Sequence, residues 1–343
     1  MIKIGIAGTG GMAEKRAYSF NGMYGVSIEG VYSRNLENTK KICQLTGAKG
    51  YDNFNNMLSV VDAVILCIPN SLHATFALNA LTVGKHVLIE YPLCVTNKEL
   101  NRLQEVSSIS DYVLMTGNTI IHEAMFLFLM KYKKRLGNII SASSRVALYS
   151  KEITNAWYMN SLYLGPVFSG LHYHHIEYYR HFLGEVKWVM ARNESIPNNR
   201  QSGYYTTTGG TLVMGHTDGA SSCIQWYLIN CGNGLPRCIW LNGTKSSVTI
   251  ISQKEGKSRV IWDNGGEDKI EEYQDEWGVK GSCVDFIHAI RGKFNHKERL
   301  KSDIKTLKIG FAAEKSAKYG NIIKNLDNSV NKMGLKRKGR VLA

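Results

Sequence analysis

A glycine-rich turn near the start of the chain is of the type that holds phosphate groups. It consists of Gly8, Thr9, Gly10, Gly11, Met12 and Ala13. The first glycine permits a tight turn, the second lets a pyrophosphate approach the backbone, and the small Ala13 lets a helix pack closely on a strand. The apolar run Ile2–Ala7 precedes the turn and a helical pattern follows it, which is the context that this motif needs. The turn therefore predicts a dinucleotide site at a helix N-terminus.

The end of the second predicted strand, Val26–Tyr32, indicates which dinucleotide is bound. An Asp or Glu at this place would hold the adenosine ribose hydroxyls and favour NAD(H). The chain has Ser33 and Arg34 instead, which can hydrogen-bond and neutralise a 2′-phosphate. We therefore predict NADP(H) as the preferred cofactor. In the alternative, NAD(H) is bound and Arg34 stacks on adenine or faces solvent.

The histidine-rich stretch Leu171–Glu177 is a second segment that could do chemistry. On a helix, His174 and Glu177 share a face, so that His174 could act as an acid or base that Glu177 orients. The same spacing of His and Glu also suits metal ligands, and that alternative stays open, although we predict no metal site. His172 and His175 are interpreted as packing or surface residues.

Further candidates lie on either side of this stretch. His122 and Glu123 follow the first predicted domain and could contribute to a substrate pocket. Tyr149 and Trp157 could form aromatic walls for a flat or ring-shaped ligand, although aromatic residues are more often part of a core.

The pattern along the chain predicts two domains. Up to about Gly117, apolar runs alternate with helical stretches, which predicts an α/β Rossmann domain with a parallel sheet over residues 1–118. Residues 119–330 are predicted to form an α+β domain with an open, largely antiparallel sheet and helices on one face. Its predicted strands are Thr211–His216, Ser222–Leu228, Cys238–Leu241, Ser247–Ile251 and Arg259–Trp262. Its predicted helices are Glu123–Arg135, Phe168–Phe182, Ser282–Ile290 and Ser302–Ile323.

Composition limits the class of protein. The chain has 343 residues, a net charge of +14 and seven cysteines. The cysteines are scattered without a C-x-x-C pair, which favours reduced thiols over disulfides or zinc. Because no apolar run approaches about 18 residues and no leader pattern is seen, we expect a cytoplasmic protein without membrane contact. We interpret the basic tail, residues 331–343, as a solvated segment rather than a nucleic-acid-binding or membrane-binding one.

Several motifs further along the chain match those of one family. They are Ile68–His73, Ala80–Glu90, Trp157 before a glycine-rich turn, His174 ten residues before Gly184, and Asn242–Lys245. Together they resemble the Gfo/Idh/MocA family, the glucose–fructose oxidoreductase and inositol dehydrogenase-like proteins. The resemblance implies cofactor contacts from Pro69, Asn70, His73 and Glu90, and a small-molecule substrate. It also implies a homo-oligomer formed through the open sheet.

Two positions differ from the family's pattern. Tyr91 stands where the family usually has a lysine that donates or accepts a proton, and Gly170 stands where it usually has an aspartate. The stretch Glu90–Leu93 instead resembles the biliverdin reductase branch. The resemblance implies catalytic roles for Tyr91, His174 and Glu90. The ordinary pKa of a tyrosine, about 10, suits an acid better than a base.

These residues together predict an NADPH-dependent reductase that transfers hydride to a carbonyl, imine or conjugated carbon. One alternative is a sugar or cyclitol dehydrogenase that uses His174 as its base. The other is a nucleotide-binding sensor or scaffold that has lost catalysis, which the absent lysine and aspartate motivate.

Overall fold

The computed structural model describes residues 1–148, 161–195, 207–228, 235–252, 257–263, 267–271, 278–324 and 326. These residues form one sheet of six strands and a second sheet of nine strands. The predicted site residues Tyr149 and Trp157 and the basic tail lie outside the described residues.

The first sheet is entirely parallel and has the strand order β3-β2-β1-β4-β5-β6. Its strands are β1 (Ile2–Ala7), β2 (Val26–Tyr32), β3 (Lys49–Tyr51), β4 (Ala63–Leu66), β5 (His86–Ile89) and β6 (Leu114–Thr116). The helices between them are α1 (Gly11–Phe20), α2 (Lys40–Thr46), α3 (Phe54–Leu58), α4 (His73–Thr82) and α5 (Asn97–Ile109). The strand order reverses between β1 and β4, and such switch points hold ligands in open α/β sheets.

The second sheet is largely antiparallel and has the order β14-β13-β12-β11-β7-β10-β9-β8-β15. Its strands are β7 (Ile139–Leu148), β8 (Val186–Ser195), β9 (Thr207–His216), β10 (Ser221–Leu228), β11 (Leu235–Gly243), β12 (Ser247–Ser252), β13 (Lys257–Trp262), β14 (Glu267–Glu271) and β15 (Ile323–Lys324). Its helices are α6 (Ala124–Leu136), α7 (Ser161–Leu164), α8 (Val167–Gly170) and α9 (Tyr173–Leu183), and the chain continues into α10 (Val279–Ile290) and α11 (His296–Tyr319). Only β7 and β10 pair in parallel among the described neighbours. The two sheets confirm the predicted fold class.

Some elements differ from the sequence-based expectation. The predicted helix Phe168–Phe182 is two helices, α8 and α9, separated at Leu171 and His172. Gly170, a poor helix former, ends the first of them. The long strands β7 and β8 were not predicted. In β7 three serines interrupt the apolar alternation from which strands are predicted.

The two C-terminal helices connect the domains. Phe286 and Ile287 of α10 pack in the core of the first sheet, beside α1. Leu300 and Leu307, in the first half of α11, pack on the opposite side of that sheet, whereas Ala312 in its second half belongs to the core of the second sheet. Helix α11 is thus shared by both cores. None of the helices in the described ranges has the length and apolar character that crossing a membrane requires.

Candidate dinucleotide and substrate site

A cavity of about 560 Å³ opens at the switch point between β1 and β4. Its walls come from the glycine turn, the end of β2 and the loop after β4. Of the predicted site residues, those that line it are Gly8, Thr9, Gly10, Ser33, Arg34 and Pro69. Gly11, Met12 and Ala13 form the first turn of α1. A cavity of this volume, at this place in the fold, is of the size that binds small molecules.

The backbone around the turn fits a dinucleotide. Gly8 has a φ of +109°, and a Cβ at this position would lie 2.0 Å from the carbonyl oxygen of Cys67. Nothing lies within 4 Å of the Cβ positions of Gly10 and Gly11, so that the space in front of the α1 N-terminus is open. Ala13 is fully buried in the core behind the turn. The geometry leaves the first N–H groups of α1 facing a space for phosphates.

The wall formed by the end of β2 is polar and carries a positive charge. Arg34 is exposed at the cavity, next to Ser33 and the amides of Asn35 and Asn38. The residues of this part of the chain that line the cavity include no Asp or Glu. The acidic residue that would favour the ribose hydroxyls is thus absent from this wall.

Two of the residues with predicted cofactor contacts hold loops together. His73 is fully buried, with Nδ1 2.7 Å from the Pro92 carbonyl oxygen and Nε2 2.9 Å from that of Ile68. Burial lowers the pKa of His73. Asn70 donates its amide to the Leu164 carbonyl oxygen in the second domain, at 3.0 Å. Both side chains therefore position the loop after β4 and are engaged away from the cavity.

Glu90, predicted as a catalytic and cofactor-binding residue, is held by a buried arginine that the sequence analysis did not single out. Arg16 Nε lies 2.7 Å from Glu90 Oε1, and the Arg16 side chain is completely buried. Arg16 also donates to the carbonyl oxygens of Gly117 and Val279 and to Ser282 Oγ. This ion pair joins α1, the ends of β5 and β6, and α10, and its carboxylate belongs to the residue just before Tyr91.

Tyr91 and His174 come together although they lie in different domains. The centroid of the Tyr91 ring is 4.0 Å from that of His174, and the two rings meet edge to face. Tyr173 also stacks on Tyr91, with its ring centroid 5.5 Å from that of Tyr91 and an interplanar angle of 21°. Tyr91 follows β5, which lies beside β4, so this aromatic cluster lies at the same edge of the sheet as the cavity.

Other predicted candidates have polar partners of their own. Glu177, expected to orient His174, lies 3.0 Å from Arg180 and 3.1 Å from His181. Arg180 and His181 thus occupy the carboxylate that a metal site would need. His122 Nε2 lies 2.9 Å from the carboxylate of Asp285 on α10. Among the described residues, no group of three or more His, Cys, Asp or Glu is arranged to hold a metal ion.

His172 is a buried histidine in an apolar setting. Within the described chain neither of its ring nitrogens has a hydrogen-bond partner. Its ring lies 4.9 Å from that of Trp226 and 6.1 Å from that of Phe168. Burial lowers the pKa of His172 from 6.5 to about 3.

This burial predicts acid sensitivity. Between about pH 6.5 and pH 3 the unfolded chain binds a proton at His172 that the folded chain does not, so stability falls as the pH falls through this window. The loss attributable to His172 is about 2 kcal/mol at about pH 5. We expect His172→Phe to recover most of this loss in urea unfolding at about pH 5, and to change little at neutral pH.

The matched control is His288→Phe, which makes the same exchange at an exposed position on α10. It should keep the acid sensitivity of the unchanged protein. Buried His73 contributes in the same direction, so that His172→Phe retains part of the slope. Equal pH slopes for the His172 and His288 variants would contradict the prediction.

Comparisons with known proteins agree with the Rossmann fold of the first domain. Residues 2–118 match the GFO_IDH_MocA family, an oxidoreductase family with an NAD-binding Rossmann fold. The chain is 31% identical over 107 residues to glucose-6-phosphate 3-dehydrogenase of Bacillus subtilis, which is 31% of each chain. It is 33% identical over 121 residues to 4-carboxy-2-hydroxymuconate-6-semialdehyde dehydrogenase of Sphingobium sp., covering 34% of this chain and 38% of that one. The chain thus matches about a third of the length of these curated relatives.

The similarity of the fold to solved structures also covers the second domain. Biliverdin reductase from Synechocystis sp. PCC 6803, solved with biliverdin and NADP+, superimposes with a TM-score of 0.81 at 18% identity. The match covers 93% of this chain and 99% of that one. At this identity the likeness concerns the fold alone. The resemblance seen in the sequence motifs is confirmed for the first domain: residues 2–118 match the NAD-binding Rossmann fold of the Gfo/Idh/MocA oxidoreductase family.

Proposed function

We propose that the protein is an NADPH-dependent reductase that acts on a carbonyl, imine or conjugated carbon. The observation that carries the proposal is the contact of Tyr91 with His174 at the sheet edge that also holds the dinucleotide cavity. A tyrosine at this place suits proton donation, which a reduction needs. The short sequence resemblance of Glu90–Leu93 to biliverdin reductases also supports a reductase, and the fold of one such reductase is similar.

Residues of the chain itself would orient the cofactor and supply the proton that the reduction needs. When bound, a reduced nicotinamide would supply a hydride, that is one proton with two electrons, to the acceptor carbon. Tyr91 donates its phenolic proton to the other atom of the double bond and then takes a proton from His174. The double bond thereby gains one hydride and one proton. Gly8, Thr9 and Gly10 would hold the pyrophosphate.

Arg34 is the residue that we expect to select NADPH. Removal of its charge-assisted bonds to a 2′-phosphate should weaken NADPH binding about 10- to 100-fold in the variant Arg34→Ala. NADH binding should change little, because NADH lacks that phosphate. Isothermal titration of both nucleotides measures the difference.

The control for Arg34 is Lys40→Ala. Lys40 is a nearby exposed cation that pairs with Glu37 and does not line the cavity. The variant Lys40→Ala should leave the affinities for NADPH and NADH unchanged. The preference for NADPH is wrong if Arg34→Ala weakens NADPH and NADH equally.

The activity itself is tested by following the nicotinamide absorbance of purified protein with NADPH. The acceptors are a panel of aldehydes and ketones, cyclic imines and a linear tetrapyrrole such as biliverdin. Oxidation of NADPH that depends on one of these acceptors supports a reductase. If no acceptor is reduced although NADPH binds, a nucleotide-binding sensor or scaffold is favoured.

A sugar or cyclitol dehydrogenase is the second candidate. It is supported by the relationship of the first domain to glucose-6-phosphate 3-dehydrogenase. In this case His174 removes the hydroxyl proton as hydride leaves the sugar carbon. Reduction of NADP+ by polyols or sugar phosphates, without NADPH oxidation by the acceptor panel, would select this function.

We also propose that the protein self-associates through the outer face of the second sheet. The core helices cover the inner face, whereas the outer face presents side chains such as Met190, which is 46% exposed. Met190 lies next to Val189, which points into the core, so the two belong to opposite faces of β8. Light scattering of the purified protein measures the mass of the assembly.

A further inference from the structure

The carboxylate of Asp303 on α11 connects three parts of the chain. It accepts hydrogen bonds from Thr116 Oγ1 at 2.5 Å and Asn118 Nδ2 at 3.2 Å, at the end of β6 and in the loop after it. It accepts a third from the Tyr173 hydroxyl at 2.9 Å, at the start of α9 in the second domain. Arg299 Nε lies 3.3 Å away and provides the countercharge. Asp303 is 1% exposed, so these donors replace water around it.

Tyr173 links this carboxylate to the substrate side of the protein. Its side chain is completely buried, and its hydroxyl is directed to Asp303. The face of its ring lies against Tyr91 at 5.5 Å. A phenol that is fixed by a hydrogen bond at its hydroxyl and by packing around its ring has little rotational freedom. The Tyr173 ring is therefore a rigid support on which Tyr91 rests.

We infer that Asp303 is a positioning residue that fixes the direction of the Tyr91 hydroxyl through the ring of Tyr173. The inference rests on the proposed function, in which Tyr91 donates the proton. Proton transfer requires the donor within hydrogen-bond reach of the acceptor atom, and small misplacements are costly in rate. Asp303 also joins the loop after β6 to α9. The same carboxylate therefore sets the Rossmann domain and the second domain at the distance at which Tyr91 and His174 meet.

The first test needs no substrate. The protein is labelled with fluorotyrosine, and the fluorine NMR resonance of Tyr91 is identified by its loss in Tyr91→Phe. We expect Tyr173→Phe, which keeps the ring but removes the bond to Asp303, to shift or broaden the Tyr91 resonance. The control Tyr179→Phe changes a buried tyrosine of the same helix and should leave it in place. An unmoved Tyr91 resonance in Tyr173→Phe overturns the inference.

The second test is a double-mutant cycle in turnover. Tyr173→Phe should lower kcat about 10- to 100-fold while the KM for the acceptor and the NADPH affinity stay within about twofold. In a Tyr91→Phe background the same change should have no further effect on kcat, because the residue through which it acts is gone. Asp303→Asn should follow the same pattern. Because Asp303→Asn also weakens the packing around Arg299, Tyr173→Phe is the deciding variant.

The outcomes separate this inference from the proposed function. If the kcat losses of Tyr91→Phe and Tyr173→Phe multiply in the double variant, Tyr173→Phe has a general structural effect and the inference is overturned. If Tyr91→Phe alone keeps full turnover, the proposed role of Tyr91 fails, whereas a shifted fluorine resonance still shows that Asp303 places its ring. If Tyr91→Phe is impaired and Tyr173→Phe is fully active, only the positioning role fails.

Discussion

The variant Tyr91→Phe is expected to lower the kcat of NADPH-dependent reduction about 100-fold or more. A positioned general acid contributes about 10²- to 10⁴-fold to the rate, and phenylalanine keeps the ring while it removes the proton. The stacking on Tyr173 and the edge-to-face contact with His174 involve only the ring, so these contacts and the fold should persist. NADPH affinity should not change, because Tyr91 does not line the dinucleotide cavity.

The control is Tyr112→Phe, at a tyrosine that is 39% exposed and packs against His86 at the opposite end of β5. This variant should turn over as the unchanged protein does. Steady-state kinetics with the acceptor identified in the panel, together with nucleotide titration, measures both effects. A Tyr91→Phe variant with unchanged kcat would remove the tyrosine from the proposed mechanism. His174 would then be the remaining proton donor in the cluster.

The variant Arg16→Met is expected to have the largest effect on stability. It should lower the free energy of unfolding by about 3–5 kcal/mol, because it leaves the buried carboxylate of Glu90 without its countercharge. It also removes the donors to the Gly117 and Val279 carbonyl oxygens, which join the first sheet to α10. Urea unfolding measures the loss. An unchanged slope of the unfolding free energy against urea concentration checks that the variant still unfolds in a two-state manner.

Two further variants separate the charge from the packing. Arg16→Met combined with Glu90→Leu should recover a large part of the loss, since replacing both members of a buried pair is less costly than removing one. Lys41→Met breaks an ion pair with Glu14 in which the lysine is exposed, and it should change stability little. If Arg16→Met is as mild as Lys41→Met, the Arg16–Glu90 pair does not hold these elements together.

The first domain was predicted well from the sequence because its signals are local. The glycine turn lies directly between a buried strand and a helix, and the switch-point cavity forms from segments that each follow a strand. Strand β4 and residues 87–89 of β5 are apolar and buried on both faces, and they are therefore recognisable as continuous runs. In the second domain the Ser-rich strand β7 lacks this pattern, and its place in the sheet depends on pairing with β10 and β11.

By itself, the sequence determined the Rossmann domain, the place of the glycine turn, and the presence of Tyr91 where the motif resemblance led us to expect a lysine. Only the tertiary structure decided what surrounds them. Arg16 meets Glu90 across 74 positions of sequence, and Tyr173 meets Asp303 across 130. Contacts at such separations have no characteristic spacing, because they depend on which helix faces are buried against each other. The glycine turn is recognisable because a few neighbouring residues form it, whereas the Tyr91–His174 pair exists only where two domains pack together.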